Sequence, residues 1–107
     1  MTTEIIPMMM LQAFVPEADE LYSIETAAHL ARMPRHHVLV CCKRGLISPH
    51  VDSEGGRYLF DREAIRVLQR IEYLRSECGV NFNGIQIILR LTEEMEQIRR
   101  DADYLYS

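Results

Sequence analysis

Positively charged and imidazole side chains are concentrated in one stretch that contains no carboxylate. No Asp or Glu occurs between Thr26 and Val51, and Arg57 follows shortly after this stretch. Cations that no nearby carboxylate neutralises can bind phosphate groups such as those of a nucleic-acid backbone. The alternative is that these charges form a solvated face. The candidates for phosphate contacts are Arg35, His36, His37, Lys43, Arg44 and Arg57.

The rest of the chain is acidic. Its 107 residues carry 16 acidic and 12 basic side chains, a formal net charge of −4. This balance argues against non-specific binding of nucleic acid by the whole chain. Groups of acidic residues lie before the basic stretch, from Glu17 to Glu25, and near the C-terminus, from Glu93 to Asp103. The chain is therefore electrically polarised, with a basic element between acidic ends.

Two short helices are expected to position the basic residues. Ser23 is a good N-cap for the first helix, and Met33-Pro34 makes the turn to the second. The second helix runs from Pro34 to Arg44, because Gly45 suits the left-handed position that ends a helix. Within it, we expect the side chains that pack inward to be Val38, Leu39 and Cys42.

A hairpin and a longer helix follow. Gly55-Gly56 lies between two runs of β-prone residues, which predicts a tight hairpin. Asp61 can cap a third helix, whose apolar residues recur at steps of three or four up to Cys78, and Gly79 ends it. The order helix, turn, helix, wing, helix predicts a mainly α winged helix-turn-helix. This fold presents one short helix and one hairpin to a partner, usually a DNA duplex.

The last helix carries a heptad pattern of apolar residues. It begins near Phe82, capped by Asn81, and its apolar positions from Ile88 onward are spaced 3, 4, 3, 4 and 3 residues apart. One interpretation is a helix that lies on its own domain. We favour a helix pair between two subunits, parallel or antiparallel, and hence a homodimer. The seam residues are Leu91, Met95, Ile98, Ala102 and Leu105.

The chain therefore divides into three predicted segments. Residues 1–21 form an apolar arm with one possible strand, residues 22–80 the winged helix-turn-helix domain, and residues 81–107 the dimerisation or partner-binding helix. An arm this apolar is expected to pack on its own domain or on a dimer mate; the alternative is a strand that binds another partner.

Other classes of function find little support in the sequence. There is no phosphate-binding Gly-rich loop and no nucleophile motif, so we expect no enzyme and no cofactor. His37 and Cys41 share a helical face, but two ligands do not complete a zinc site, and no metal is expected. Three cysteines, an odd number, indicate reduced thiols. Without a membrane span or a convincing signal peptide, the expected location is the cytoplasm.

A series of short motifs resembles the MerR superfamily of winged helix-turn-helix regulators. The motifs are Tyr22-Ser23-Ile24, Lys43-Arg44-Gly45-Leu46-Ile47, Glu54-Gly55-Gly56-Arg57 and the run from Leu74 to Val80. The resemblance covers roughly residues 21–105. It implies a regulatory protein, and it implies that Arg57 lies on the wing where a phosphate contact is expected.

Two chaperone-linked branches of that superfamily are similar to this chain. The run from Gly79 to Ile85 is similar to MerR-type heat-shock repressors, which bind operator DNA. A second set of motifs resembles the chaperone-modulator family (CbpM-type), whose members bind the J-domain of a DnaJ-like co-chaperone. These motifs are Phe60-Asp61, Gln69-Arg70, Leu74-Arg75, Gly84-Ile85 and the run from Leu89 to Leu91. The resemblance thus implies either a J-domain or operator DNA as partner.

The second helix discriminates between these partners. DNA-binding relatives usually carry an Arg-Tyr-Tyr run where this chain has Leu39, Val40 and Cys41, so a cation and two hydroxyl donors are missing from the expected reading surface. On this ground we favour a modulator that binds a J-domain, and a dimeric DNA-binding regulator of stress operons is the alternative. Acidic residues of the last helix would attract a basic J-domain helix: Glu93, Glu94 and Glu96.

Overall fold

A computed structural model describes residues 20–106 of the chain. In these residues four helices and the two strands of the wing follow one another in the predicted order, so the mainly α fold with a small sheet and a long last helix is confirmed. A third strand, before the first helix, was not predicted. The predicted arm, residues 1–21, lies almost entirely outside the described residues. The helices are α1 (Ile24–Ala31), α2 (Arg35–Lys43), α3 (Arg62–Ser76) and α4 (Phe82–Tyr106), and the strands are β1 (Tyr22–Ser23), β2 (His50–Val51) and β3 (Tyr58–Phe60).

The ends of α1 are fixed by its neighbours in sequence. The Ser23 hydroxyl accepts a hydrogen bond from the backbone N–H of Thr26 at 3.2 Å, as expected of an N-cap. The helix ends at Arg32, which has the left-handed conformation with φ of 60° although it is not glycine. Its N–H closes the last turn on the carbonyls of Ala28 and His29.

Helix α2 turns a different face inward from the one expected. Pro34 is its N-cap, with extended backbone, and Gly45 (φ of 75°) follows its C-terminal end. Val38 is buried as predicted, but Cys41 is the other buried residue of this helix. The prediction that Leu39 packs inward is wrong, because 39% of Leu39 is exposed, and Cys42 is only half-buried.

The three strands form one antiparallel sheet in the order β1-β3-β2. Tyr22 pairs with Phe60 on one side of β3, and Val51 pairs with Tyr58 on the other. The connection between β2 and β3 is the predicted wing, and Gly56 in it has φ of 66°, which glycine adopts without strain. Phe60 is fully buried, so the sheet is anchored in the core.

Helix α3 supplies most of the remaining core. The Asp61 carboxylate caps it by accepting the Ala64 N–H at 2.8 Å. Ile65, Leu68 and Ile71 are fully buried at helical spacing. Gln69 is the buried polar residue of this helix, and its amide donates to the carbonyl of Leu30 at 3.3 Å. This bond ties α3 to α1.

The chain divides into two compact units after Tyr73. In the second unit, Asn81 caps α4 by accepting the Gly84 N–H at 2.8 Å, and the helix continues unbroken for 25 residues. Ile85 is its buried residue. In the part of the chain that the structure describes, no helix combines the length and the hydropathy needed to cross a bilayer.

Candidate nucleic-acid interface

The outward face of α2 carries a cation at each end and an aliphatic side chain in the middle. Arg35, Leu39 and Lys43 follow one another at intervals of four residues, so they lie on one side of the helix, and all three are exposed. At 1.5 Å per residue, the first and last are separated by about 12 Å along the helix axis. The helix therefore presents two positive charges that bracket one apolar contact.

The N-terminal cation of this face is paired with a carboxylate of α1. The Arg35 Nε lies 3.3 Å from a carboxylate oxygen of Glu25, and both side chains are mostly exposed, at 62% and 70%. Exposed pairs of this kind contribute little to stability. The pair therefore restrains Arg35 only weakly.

The cation on the wing pairs with a carboxylate of the same turn, and its side chain is 74% exposed. The Arg57 Nη2 donates to the Asp52 Oδ2 at 3.2 Å, while Oδ1 of the same carboxylate accepts the Glu54 N–H at 3.1 Å. Two backbone bonds between Asp52 and the Gly56–Arg57 pair close the turn. The Glu54 N–H and the Arg57 guanidinium lower the pKa of the Asp52 carboxyl from its ordinary value. Arg57 is thus oriented within the wing.

The remaining predicted residues flank these two cations. His36 is exposed and His37 half-buried, and their rings meet edge-on with centroids 4.5 Å apart. Lys43 and Arg44 are exposed at the C-terminal end of α2. Lys43 has no carboxylate partner within the described residues. The first unit thus carries all six predicted residues, five on or next to α2 and one on the wing.

An open groove of about 380 Å³ separates α2 from the wing. Two arginines, Arg35 and Arg57, line it together with the acidic residue Glu25 and several apolar residues. The full lining is Ser23, Ile24, Glu25, Arg35, Leu39, Gly56, Arg57, Tyr58 and Leu59. A surface that alternates cations with apolar groups suits a ligand that carries both phosphates and ring edges.

One of the three residues that replace the Arg-Tyr-Tyr run, Cys41, lies in the core of the first unit. The sequence comparison counted Leu39, Val40 and Cys41 as three replaced reading residues, but Cys41 is fully buried. Burial raises the pKa of its thiol to about 11, with the neighbouring Cys42 and Glu72 adding to the shift. Cys41 is therefore a core residue, and the altered outer surface is limited to Leu39 and the half-buried Val40.

Three participants in this surface were not predicted. Glu25 and Asp52 pair with the two arginines, and Tyr58, 41% exposed, lines the groove from the wing. The segment Asp52-Ser53-Glu54-Gly55-Gly56 contained a signal for the Asp52 turn, because Asp favours turn positions where its side chain accepts a nearby N–H. No sequence signal connects Glu25 with Arg35, which are ten residues apart.

The family profile described as MerR HTH family regulatory protein matches residues 22–92. This range covers more than half of the chain and contains α1, α2, the wing and α3. The chain belongs to the MerR helix-turn-helix family. No individual curated protein matches it.

Much of α4 lies beyond the segment that matches the MerR family, which ends at Thr92. In this part, Met95 is 61% exposed, Ile98 67% and Leu105 71%, while Ala102 is half-buried. Leu91, 49% exposed, precedes them on the same face. Large exposed apolar side chains at heptad spacing are typical of a helix that pairs with another.

Metal ligands do not cluster in the described part of this MerR-family chain. Residues 20–106 contain no group of three or more His, Cys, Asp or Glu side chains placed to hold one ion. Cys78, the thiol that the sequence placed near the end of α3, is exposed in the second unit.

Proposed function

We propose that this MerR-family regulator binds duplex DNA as a homodimer, with α2 in the major groove and the wing on the adjacent backbone. The observation that carries the proposal is the outward face of α2, where Arg35 and Lys43 stand about 12 Å apart on either side of Leu39. The major groove of B-DNA is about 12 Å wide. If the axis of α2 lies across the groove, cations at this spacing can contact phosphates on both of its edges.

The ion pairs of this surface are compatible with phosphate binding. The Arg35–Glu25 pair is exposed, and such pairs contribute roughly 0.2–1 kcal/mol. A phosphate forms stronger, charge-assisted hydrogen bonds with a guanidinium. Arg57 uses Nη2 toward Asp52 and retains its other N–H groups. Asp52 therefore orients Arg57 without consuming its capacity to bind a phosphate.

A dimer would give the protein two such surfaces. The exposed apolar face of α4, from Leu91 to Leu105, supports pairing with a second copy. Two copies would then place their α2 helices in successive major grooves, about 34 Å apart. The expected DNA site consists of two half-sites related by a twofold axis.

Titration of a fluorescent duplex with the protein at several salt concentrations tests DNA binding. Each protomer has four candidate Lys and Arg contacts to phosphate, so a dimer has eight: Arg35, Lys43, Arg44 and Arg57 of both copies. With eight contacts, the affinity for DNA is expected to fall roughly 10⁴-fold between 50 and 200 mM salt. Fluorescence anisotropy measures this slope directly. Failure to bind any duplex at 50 mM salt would rule out the proposed function.

A second candidate is modulation of a co-chaperone through its J-domain. The observation that favours it is the exposed apolar face of α4 together with the acidic residues Glu93, Glu94 and Glu96 on the same helix. We rank it second, because the match to the MerR HTH family, which covers α1, α2 and the wing, supports the DNA-binding role. Calorimetric titration with the J-domain of the same organism tests it, and a micromolar complex that Glu94→Lys weakens would support it.

A further inference from the structure

Leu39 is an exposed aliphatic residue in the centre of the surface proposed to bind DNA. It is 39% exposed, whereas the other aliphatic residues of α2 are buried or half-buried. One helical turn separates it from Arg35 on one side and from Lys43 on the other. Tyr58 and Leu59 of the wing line the same groove. A ligand that lies across this surface would meet one apolar side chain between the two cations.

The positions of the two flanking cations determine which part of the DNA Leu39 would contact. If Arg35 and Lys43 contact phosphates on opposite edges of the major groove, the side chain midway between them points at the base edges. Most groups on these edges are hydrogen-bond donors or acceptors, and a leucine covering them would leave them without partners. The C5-methyl group of thymine is the apolar group on this edge.

We propose that Leu39 is a specificity-determining residue that selects thymine by packing against its methyl group. This inference rests on the proposed function, because it requires α2 to lie in the major groove. Leucine has no donor or acceptor of its own, so it discriminates in two ways. It buries the thymine methyl, and it disfavours bases that place a polar group at that point.

The predicted consequence is a site that requires thymine at one position in each half-site. Burial of one methyl group corresponds to about a fourfold change in affinity. With one contact in each half-site of a dimer site, loss of both methyl groups weakens binding about 15-fold.

The test compares thymine with deoxyuridine, which differs only by the methyl group. A bound site is first selected from a random duplex library, and each dT in it is then replaced by dU. The wild-type protein is expected to lose about fourfold in affinity at one position of each half-site. Leu39→Ala is expected to bind the dT and dU duplexes equally, while Leu39→Met, which keeps an apolar contact, retains a preference for dT.

Ile87→Ala is the matched control. Ile87 is 49% exposed and lies on α4 in the second unit, so its removal tests the general loss of an exposed aliphatic side chain. This control variant should discriminate dT from dU as the wild type does. Circular dichroism and the melting temperature verify that each variant folds, which we expect because Leu39 is not a core residue.

The outcomes separate the inference from the proposed function. DNA binding with no dU effect, or with an equal dU effect in Leu39→Ala, would overturn the role of Leu39 and leave DNA binding intact. A selected site that does not contain thymine in each half-site would also overturn the role of Leu39 and leave DNA binding intact. A Leu39→Ala variant that loses only binding to a J-domain would assign Leu39 to a protein interface. Absence of binding to any duplex would overturn both proposals.

Discussion

The Arg57 guanidinium is held 3.2 Å from the Asp52 carboxylate, and this contact orients the cation that we assign to the DNA backbone. The Asp52 carboxylate is also held by the backbone, since it accepts the Glu54 N–H, and the Asp52 backbone closes the wing turn. The Arg57 side chain is 74% exposed, and an exposed ion pair of this kind restricts it only weakly. The wing therefore presents Arg57 beside a carboxylate that the turn fixes, with most of the side chain accessible to a phosphate.

The pairing of Asp52 with Arg57 can be measured from the titration of the carboxyl. The Glu54 N–H and then the Arg57 guanidinium lower its pKa below the ordinary value of 3.8. In Arg57→Gln we expect the pKa of Asp52 to rise but to stay below 3.8, because the Glu54 N–H remains. A pH titration followed by carboxyl ¹³C NMR checks this, and an unchanged pKa would show that the two side chains do not pair in solution.

The cap of α3 makes folding stability depend on pH. The Ala64 N–H and His50 lower the pKa of the Asp61 carboxyl, so the unfolded state binds a proton more readily than the folded state. The stabilisation is therefore present above pH 3.8 and is lost as the pH falls through the folded-state pKa. Asp61→Ala should cost about 1 kcal/mol at pH 7, and the difference from wild type should narrow below about pH 4.

Thermal unfolding at a series of pH values measures how the stability difference between Asp61→Ala and wild type changes with pH. Asp103→Asn is the control, because Asp103 is exposed on α4 and caps no helix. It should leave both the stability and its pH dependence close to those of the wild type. A constant difference between Asp61→Ala and wild type down to pH 2.5 would contradict the assigned role of the carboxylate.

The three thiols should differ in their reactivity. Cys78 is exposed, Cys42 half-buried and Cys41 fully buried. Burial raises the pKa of Cys41 to about 11, so its thiolate is scarce at pH 8 as well as inaccessible. Alkylation of the native protein followed by peptide mass spectrometry should modify Cys78 first and Cys41 last, and all three at similar rates in denaturant. Early modification of Cys41 would mean that α2 turns another face inward.

The dimer seam is testable through the oligomeric state. Met95→Asp combined with Ile98→Asp should place two charges in the apolar seam and yield monomers in light scattering, because a buried unpaired charge is strongly unfavourable. Arg100→Asp introduces the same residue type away from the heptad positions and should remain dimeric. A wild-type protein that is monomeric, or a double variant that stays dimeric, would show that the seam lies elsewhere.

Local signals in the sequence were sufficient to predict the order of the helices and the wing. Ser23, Asp61 and Asn81 each cap the helix they were predicted to cap, and Gly45 follows α2 as expected. Capping depends on a few neighbouring residues, so it can be read without knowledge of the tertiary structure. Helix α3 stops at Ser76, earlier than the predicted end at Gly79, because helix ends are weakly specified by sequence.

Features that depend on tertiary packing could not be predicted in the same way. The run from Val38 to Cys42 is apolar throughout, so it has no periodicity that could indicate which side of α2 is buried. In the folded protein Val38 and Cys41 pack inward, and Leu39 therefore lies at the surface. The pairing of β1 with β3 is also a long-range contact, and strand β1 has only two residues.

The most direct test of the account is the salt dependence of DNA binding in a variant of α2. Lys43→Gln removes one cation per protomer, and in a dimer the slope of log affinity against log salt should become shallower by about 1.8. Arg90→Gln removes an exposed cation of α4 and should leave the slope unchanged. This pair of results would establish that α2 faces the phosphates of DNA. Equal slopes for wild type and Lys43→Gln, or no DNA binding by either protein, would contradict the account.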